Sequence, residues 1–314
     1  MKGIGRLAFL PAVAALIPGL SRQALKSQHS AELSKAKIVV GVLEDVPGHY
    51  AGQSDFRAVR AIFEKVGNEW KPFPNDCRSV NCLATVTGSY PAHVTWTIAF
   101  NGRNVGRVET RVPKSFKFYS SIGLDNVVST NSVPTIGKRS MEYGGFLSTP
   151  VYRPLVAVSQ PNFLDPQEWK TTALPPEAAI SLRYEFRKRF PKVSNCKNPD
   201  EDSLRPWPYS DADIRFGKTY RSNDNEILSS VLLDSWRCDG PSDDGSAFDL
   251  QWYLVNPRGE IRFIGSGMRL LDAGDYDAEG RSELVFVVDG YDLGGYELFY
   301  DDFRKRAVFN FSYH

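Results

Sequence analysis

From Lys37 onward, apolar and polar positions alternate in short runs broken by turn residues. Lys37 to Leu43, KIVVGVL, predicts a strand. Four segments then repeat one design. Arg57 to Pro72 sets two apolar runs about Gly67 and Asn68, and His93 to Val112 does so about Asn101 and Gly102. Asp249 to Gly265 turns at Pro257 and Gly259, and Glu283 to Tyr300 turns before Gly294. Alternating β-branched and aromatic residues around such turns are hairpin signals. Gly67 to Gly102 and Gly259 to Gly294 are each 35 residues, and the gap between Gly102 and Gly259 is 157. A period near that of a four-stranded blade predicts a mainly β protein, a β-propeller-like ring of about six or seven short antiparallel sheets. A closed ring also removes exposed edges. Two β-sandwich domains are the competing architecture.

One stretch breaks the period of two. Leu174 to Glu177 has proline in the first turn and an acid at the positive end of the dipole, which starts a helix. Ala179, Leu182, Phe186 and Phe190 then share a face, and Pro191 ends it. The reading is a helical insertion at about residues 175–190. Asn195 to Tyr209 is polar, proline-rich and predicted as loop.

The chain's start follows a different logic. Lys2 and Arg6 precede an apolar run of eleven residues, Leu7 to Ile17, and Pro18 and Gly19 break it. Gly19 and Ser21 are small enough for a signal peptidase, which predicts a leader over 1–21; Ala24 is a second cleavage position. The run is short for a bilayer span; a buried N-terminal helix or an uncleaved anchor are the other readings. Residues 22–36 read as a linker, and 37–314 as the β-rich domain. The expected product is secreted or periplasmic, with no membrane span once the leader is removed.

Composition is ordinary for a globular chain, with 42% apolar and 24% charged residues. It excludes a collagen-like fibre, a coiled coil and a disordered tail. The formal net charge is +1, and −1 without Lys2 and Arg6, so nucleic acid is not an expected partner. The basic stretch Arg183, Arg187, Lys188, Arg189 and Lys192 reads as a solvated helix face.

Four cysteines, an even number, fit an exported chain with disulfides. Three pairings exist. Cys77 with Cys82 and Cys196 with Cys238 is the favoured one, worth about 2 kcal/mol for the short loop and about 4 kcal/mol for the long one. A four-thiolate zinc site is the rival, but Cys196 and Cys238 lie too far apart for its usual spacing.

The sharpest chemical motif is Asp275 to Glu283. Acids stand at loop positions 1, 3, 5 and 9, as Asp275, Asp277, Glu279 and Glu283, with Gly280 at position 6. Alternate residues of a tight turn aim carboxylates at one centre, and calcium takes six to eight oxygens. Four like charges repel without a cation among them. Position 12, where an EF-hand carries glutamate, is Phe286, and both flanks read as strands. The stretch LDAGDYDAEGRSELVFV, Leu271 to Val287, resembles the calcium loop of FG-GAP/VCBS-type repeats, which build integrin-like propellers on cell-surface and secreted proteins. The resemblance implies Asp275, Asp277, Glu279 and Glu283 as side-chain ligands, Arg281 as a backbone ligand, and a structural Ca2+. Glu279 and Glu283 depart from the usual aspartates, and a metal-free acidic turn is the alternative.

Catalytic signals are weaker. The histidines His29, His49, His93 and His314 are scattered. Gly265-Ser266-Gly267 lacks the Gly-x-Ser-x-Gly elbow. Asp239, Asp243 and Asp244 are acidic enough for a glycosidase pair but have ordinary turn composition. Trp96 and Trp252 fit core positions better than a sugar platform. The expected function is a calcium-braced binding or interaction module with a protein or glycan partner. The alternative is a secreted carbohydrate-active enzyme on a propeller scaffold.

Overall fold

The computed structural model describes residues 37–46, 56–75, 80–113, 124–129, 132–136, 152–191, 193–195, 205–233, 250–289 and 293–312. The predicted leader and linker, residues 1–36, lie outside them. So do Cys77, Cys196, Cys238, Asp239, Asp243 and Asp244, and of Cys82 only the backbone is described.

The fold is mainly β. The first sheet has seven strands: β1 (Val39–Val46), β2 (Phe56–Val66), β3 (Glu69–Pro72), β4 (Thr95–Phe100), β5 (Arg103–Glu109), β6 (Leu124–Asn126) and β7 (Leu155–Val158). A helix, α1 (Val80–Ser89), precedes β4 and sends Val86 into this sheet's core, with Tyr90 following. Next come β8 (Lys170–Thr171), the helix α2 (Pro176–Arg189) and a two-stranded ribbon of β9 (Val193–Asn195) and β10 (Arg205–Trp207). The second sheet adds β11 (Ile214–Arg221), β12 (Ile227–Leu233), β13 (Gln251–Val255) and β14 (Ile261–Gly265) to β8. The third is the meander β15 (Met268–Gly274), β16 (Glu283–Asp289), β17 (Leu293–Tyr300) and β18 (Lys305–Ser312).

The predicted hairpins are present as β2–β3, β4–β5, β13–β14 and β16–β17. The β4–β5 turn has Asn101 and Gly102 both at positive φ, 49° and 69°, the two-residue geometry that matches strand twist. The grouping of strands differs from the expected blades. Among the described residues the strands gather into three large sheets and a ribbon, not six or seven four-stranded blades. The reason is non-local pairing: β7 returns to lie between β1 and β4, antiparallel to both.

Side-chain alternation sets the layering. Leu271, Val285, Tyr296, Leu298 and Phe309 of the third sheet join the core of the first. Leu270, Leu284, Phe286 and Phe299 point the other way and meet Leu228, Trp252 and Leu254 of the second. On the second sheet's far side, Ile227, Val231, Tyr253 and Val255 pack against Ala178, Leu182 and Phe186 of α2. The third sheet is therefore the middle layer. α2 covers residues 176–189 as predicted, although Ala178 rather than Ala179 is the buried alanine. Two elements went unpredicted: α1, so that among the described residues two helices and not one interrupt the strands, and the β9–β10 ribbon, whose second strand lies inside the predicted loop.

Candidate functional site

The segment between β15 and β16 is held from several sides. Its first residue, Asp275, donates its backbone N–H to the Leu164 carbonyl at 3.0 Å. The turn then closes on its own carboxylates. Asp275 accepts the N–H groups of Glu279 at 3.0 Å and Gly280 at 2.8 Å. Asp277 accepts the Glu279 N–H at 3.1 Å, and Glu283 accepts that of Tyr276 at 2.8 Å. Ala278 and Gly280 adopt left-handed φ values of 61° and 85°. Glycine makes this free at position 280; alanine bears a strain of about 1 kcal/mol at 278.

Carboxylate oxygens of Asp275, Asp277 and Glu283 lie within 4.8 Å of one another. Glu283 and Asp277 are buried and Asp275 is half-buried. Burial pushes the Glu283 carboxyl well above its usual range, and the charges of Asp277 and Asp275 add to this. Asp275 is raised for the same first reason, with Asp277 again contributing. Of the other residues in the motif, Glu279 is exposed and Arg281 turns its side chain outward to Asp302.

One cation reaches the cluster from far away in the chain. Lys65, at the end of β2, pairs with Asp277 and lies 3.5 Å from Glu279. Its side chain is nearly buried, with the ammonium 5.3 Å from the Trp70 ring centroid and 5.9 Å from that of Tyr300. Burial alone would lower its pKa, but the hydrogen bond and charge of Asp277, then Glu279 and Glu283, hold it above the ordinary value. Sequence reasoning missed Lys65, which is 212 positions from its partner.

Behind the loop lies a buried polar network, also unforeseen. Asp165 accepts the N–H groups of Gln167 at 3.1 Å and Trp169 at 2.7 Å, and the Ser282 hydroxyl. Asp272 accepts the Gly102 N–H at 3.0 Å, while its second oxygen and the Tyr276 hydroxyl have no hydrogen-bond partner. Gly102 cannot be larger here: a Cβ would stand 2.4 Å from that of Asp165.

The cluster's chemistry fits a hard divalent cation. Its donors are oxygens, backbone N–H groups orient them, and three converging acids outnumber the single ammonium. The nearby Glu279 adds a fourth negative charge at the rim. Lys65 occupies one oxygen of Asp277, so an ion here shares that carboxylate with the lysine.

The other sequence candidates lie apart. Trp96 and Trp252 are core residues, donating to Thr110 at 2.9 Å and to the Met268 carbonyl at 2.7 Å. His93 is exposed at the start of the β4 hairpin. Among the described residues no helix is long and apolar enough to cross a membrane. No family model, curated protein or solved structure matches the chain, so the likeness of its acidic loop to FG-GAP/VCBS-type repeats rests on the loop residues alone.

Proposed function

We propose that this chain is a calcium-braced, β-rich binding or interaction module. In this reading it is exported to the periplasm or cell exterior, disulfide-bonded, and directed at a protein or glycan. The observation that carries it is the convergence of Asp275, Asp277 and Glu283 in a loop shaped by its own backbone donors. With Glu279 and the Arg281 carbonyl, as the resemblance implies, these residues would hold the ion. Bound calcium supplies charge neutralisation and a cross-link within the turn. The chain's own residues set the strength of that brace. Backbone donors pre-orient the acids, and Lys65 competes for Asp277.

The experiment is a melting curve in calcium, in magnesium and in chelator. An ion that binds only the folded state stabilises it by mass action. Extracellular sites have dissociation constants of about 0.1–1 mM, so about 10 mM calcium gives roughly 1.4–2.7 kcal/mol. The competing ammonium places the expectation at the lower end. Magnesium, which demands a tight octahedron, should do much less. Glu283→Gln retains an acceptor for the Tyr276 N–H and removes one crowded charge. It should raise the melting temperature in chelator and blunt the calcium response. Asp277→Ala should instead destabilise even without calcium, because it leaves the nearly buried Lys65 side chain only the exposed Glu279 as a counter-charge. Equal melting temperatures in calcium and chelator, for folded protein, would overturn the reading.

The propeller-like form of the proposal is supported by the second and third sheets. Their strands β11 to β14 and β15 to β18 are consecutive meanders stacked face to face, as blades stack. The seven-stranded first sheet departs from a blade. A crystal structure with a closed ring of sheets about an axis would support the form; an open three-layer stack would reject it.

A further inference from the structure

The contact of Lys65 with Asp277 joins two parts of the chain 212 positions apart. Both side chains are shielded: that of Lys65 is 9% exposed and that of Asp277 1%. Lys65 Nζ meets Asp277 Oδ2 directly, whereas its approach to the exposed Glu279 is longer, 3.5 Å. The rings of Trp70 and Tyr300, both buried, flank the amine. An ion pair placed like this has lost most of the hydration that stabilises an amine and a carboxylate as separate ions. It also holds a nucleophile against a carboxyl carbon. Well-oriented placement of that kind is equivalent to about 10⁵–10⁸ M of free reactant.

Two further groups suit the reaction that this invites. Asp277 Oδ1 accepts the Glu279 N–H at 3.1 Å, so a backbone donor already points at the oxygen on which negative charge would build. The second group is the buried Glu283 carboxyl, which has an oxygen within 4.8 Å of the Asp277 carboxylate. The Tyr276 N–H fixes it at 2.8 Å, so it is placed to carry a proton between the reacting atoms.

We propose that Lys65 and Asp277 condense within the folded chain to an intramolecular amide. One ammonium proton crosses to Asp277 Oδ2. The freed Nζ lone pair bonds to Cγ, and Oδ1 takes the negative charge under the Glu279 N–H. Glu283 accepts a second proton from Nζ and delivers one to Oδ2. The Cγ–Oδ2 bond then breaks, Oδ1 becomes a carbonyl again, and Oδ2 leaves as water. One ammonium and one carboxylate become one amide and one water, so no oxidant, nucleotide or cofactor is consumed. The product ties the end of β2 to the β15–β16 loop by a bond that reductants do not open. It does not depend on the calcium brace: the amide keeps a carbonyl oxygen, and Asp275 and Glu283 keep their carboxyl groups.

The test is the intact mass of the full chain, reduced and kept in chelator. Folded protein should be lighter than its sequence, counted from the measured N-terminus, by the mass of one water. A reduced and alkylated tryptic digest should contain residues 61–78 joined to residues 270–281. Chain held in urea from lysis onward should have the full mass and lose the water only on refolding. Lys65→Arg keeps the charge but offers no amine, and should fold at full mass. Glu283→Gln should slow the loss of water about a hundredfold or more. Because the cross-link itself raises the melting temperature, the effect of Glu283→Gln on melting is read in the Lys65→Arg background. Full mass in the folded wild type, equal loss of water in Lys65→Arg, or a link between other peptides would each overturn the proposal; an unchanged rate in Glu283→Gln would overturn its proton route. Full mass alongside a calcium-dependent melting temperature removes the amide and leaves the calcium brace standing. The linked peptides without a calcium response do the reverse.

Discussion

Asp272 is wholly enclosed at the junction of the third sheet and the β4–β5 turn, where it accepts the backbone N–H of Gly102. Burial pushes its carboxyl up to about 7, and backbone donors only partly offset the effect. An unfolded aspartate titrates near 3.9, so the folded chain holds this proton more tightly. The resulting stabilisation is complete below about pH 4 and is lost as pH rises through about 7, at most about 4 kcal/mol in all. Stability should therefore fall between pH 5 and pH 8. Asp272→Asn retains an acceptor for Gly102 and cannot ionise; it should raise the melting temperature at pH 8 and flatten the slope. Glu283, also raised by burial, adds a slope of the same sign, so the variant flattens the profile without levelling it. Parallel melting-temperature profiles for the two proteins would count against this assignment. At this scale the sequence was readable where chemistry is local. Spacing singled out Asp275, Asp277, Glu279 and Glu283, and folding brings all but Glu279 together. Lys65 and Asp165 stayed hidden because only folding carries them to the loop.

Elements were legible in proportion to how local their causes are. The four hairpins follow from turn residues and alternation, and β16 reads as a continuous apolar run because both of its faces are covered. α1 was not legible. Val80 to Ser89 carries Val80, Thr85, Val86 and Thr87, all β-branched, with Gly88 near its end. Such residues favour strands, and tertiary contact of Val86 with the first core overrides that preference. α2 has the opposite balance, with prolines at its start, Glu177 in its first turn and Arg187, Lys188 and Arg189 in its last. Its attachment is nonetheless a matter of packing. Leu182 is fully buried between Ala178, Phe186 and the second sheet, whereas Ile180 is 69% exposed. Leu182→Ala should cost about 2–4 kcal/mol in urea denaturation. Ile180→Ser should move the midpoint very little; equal losses would mean that α2 does not dock through this face.

At the scale of the whole molecule, export and oxidation are predictions of the sequence that protein from its native host can check. Mass analysis should find an N-terminus near Arg22, and non-reducing peptide maps should link Cys77 with Cys82 and Cys196 with Cys238. An intact Met1 with four free thiols would reject both. Contacts between layers add polar ties to the apolar cores. Lys65 reaches Asp277, the Tyr300 hydroxyl donates to Glu69 at 2.6 Å, and Lys305 pairs with Glu69 at 2.8 Å, so the β2–β3 hairpin is fastened to the third sheet at several points. That middle sheet is also the last of the three to be synthesised. While a ribosome or a translocation pore still holds residues beyond Gly265, the first and second sheets each present an apolar face that β15 to β18 will cover. The nascent chain must therefore be kept from self-association until its final segment emerges. A premature stop codon before Met268 would yield not a smaller version of the protein but two sticky surfaces, substrates for chaperones and proteases.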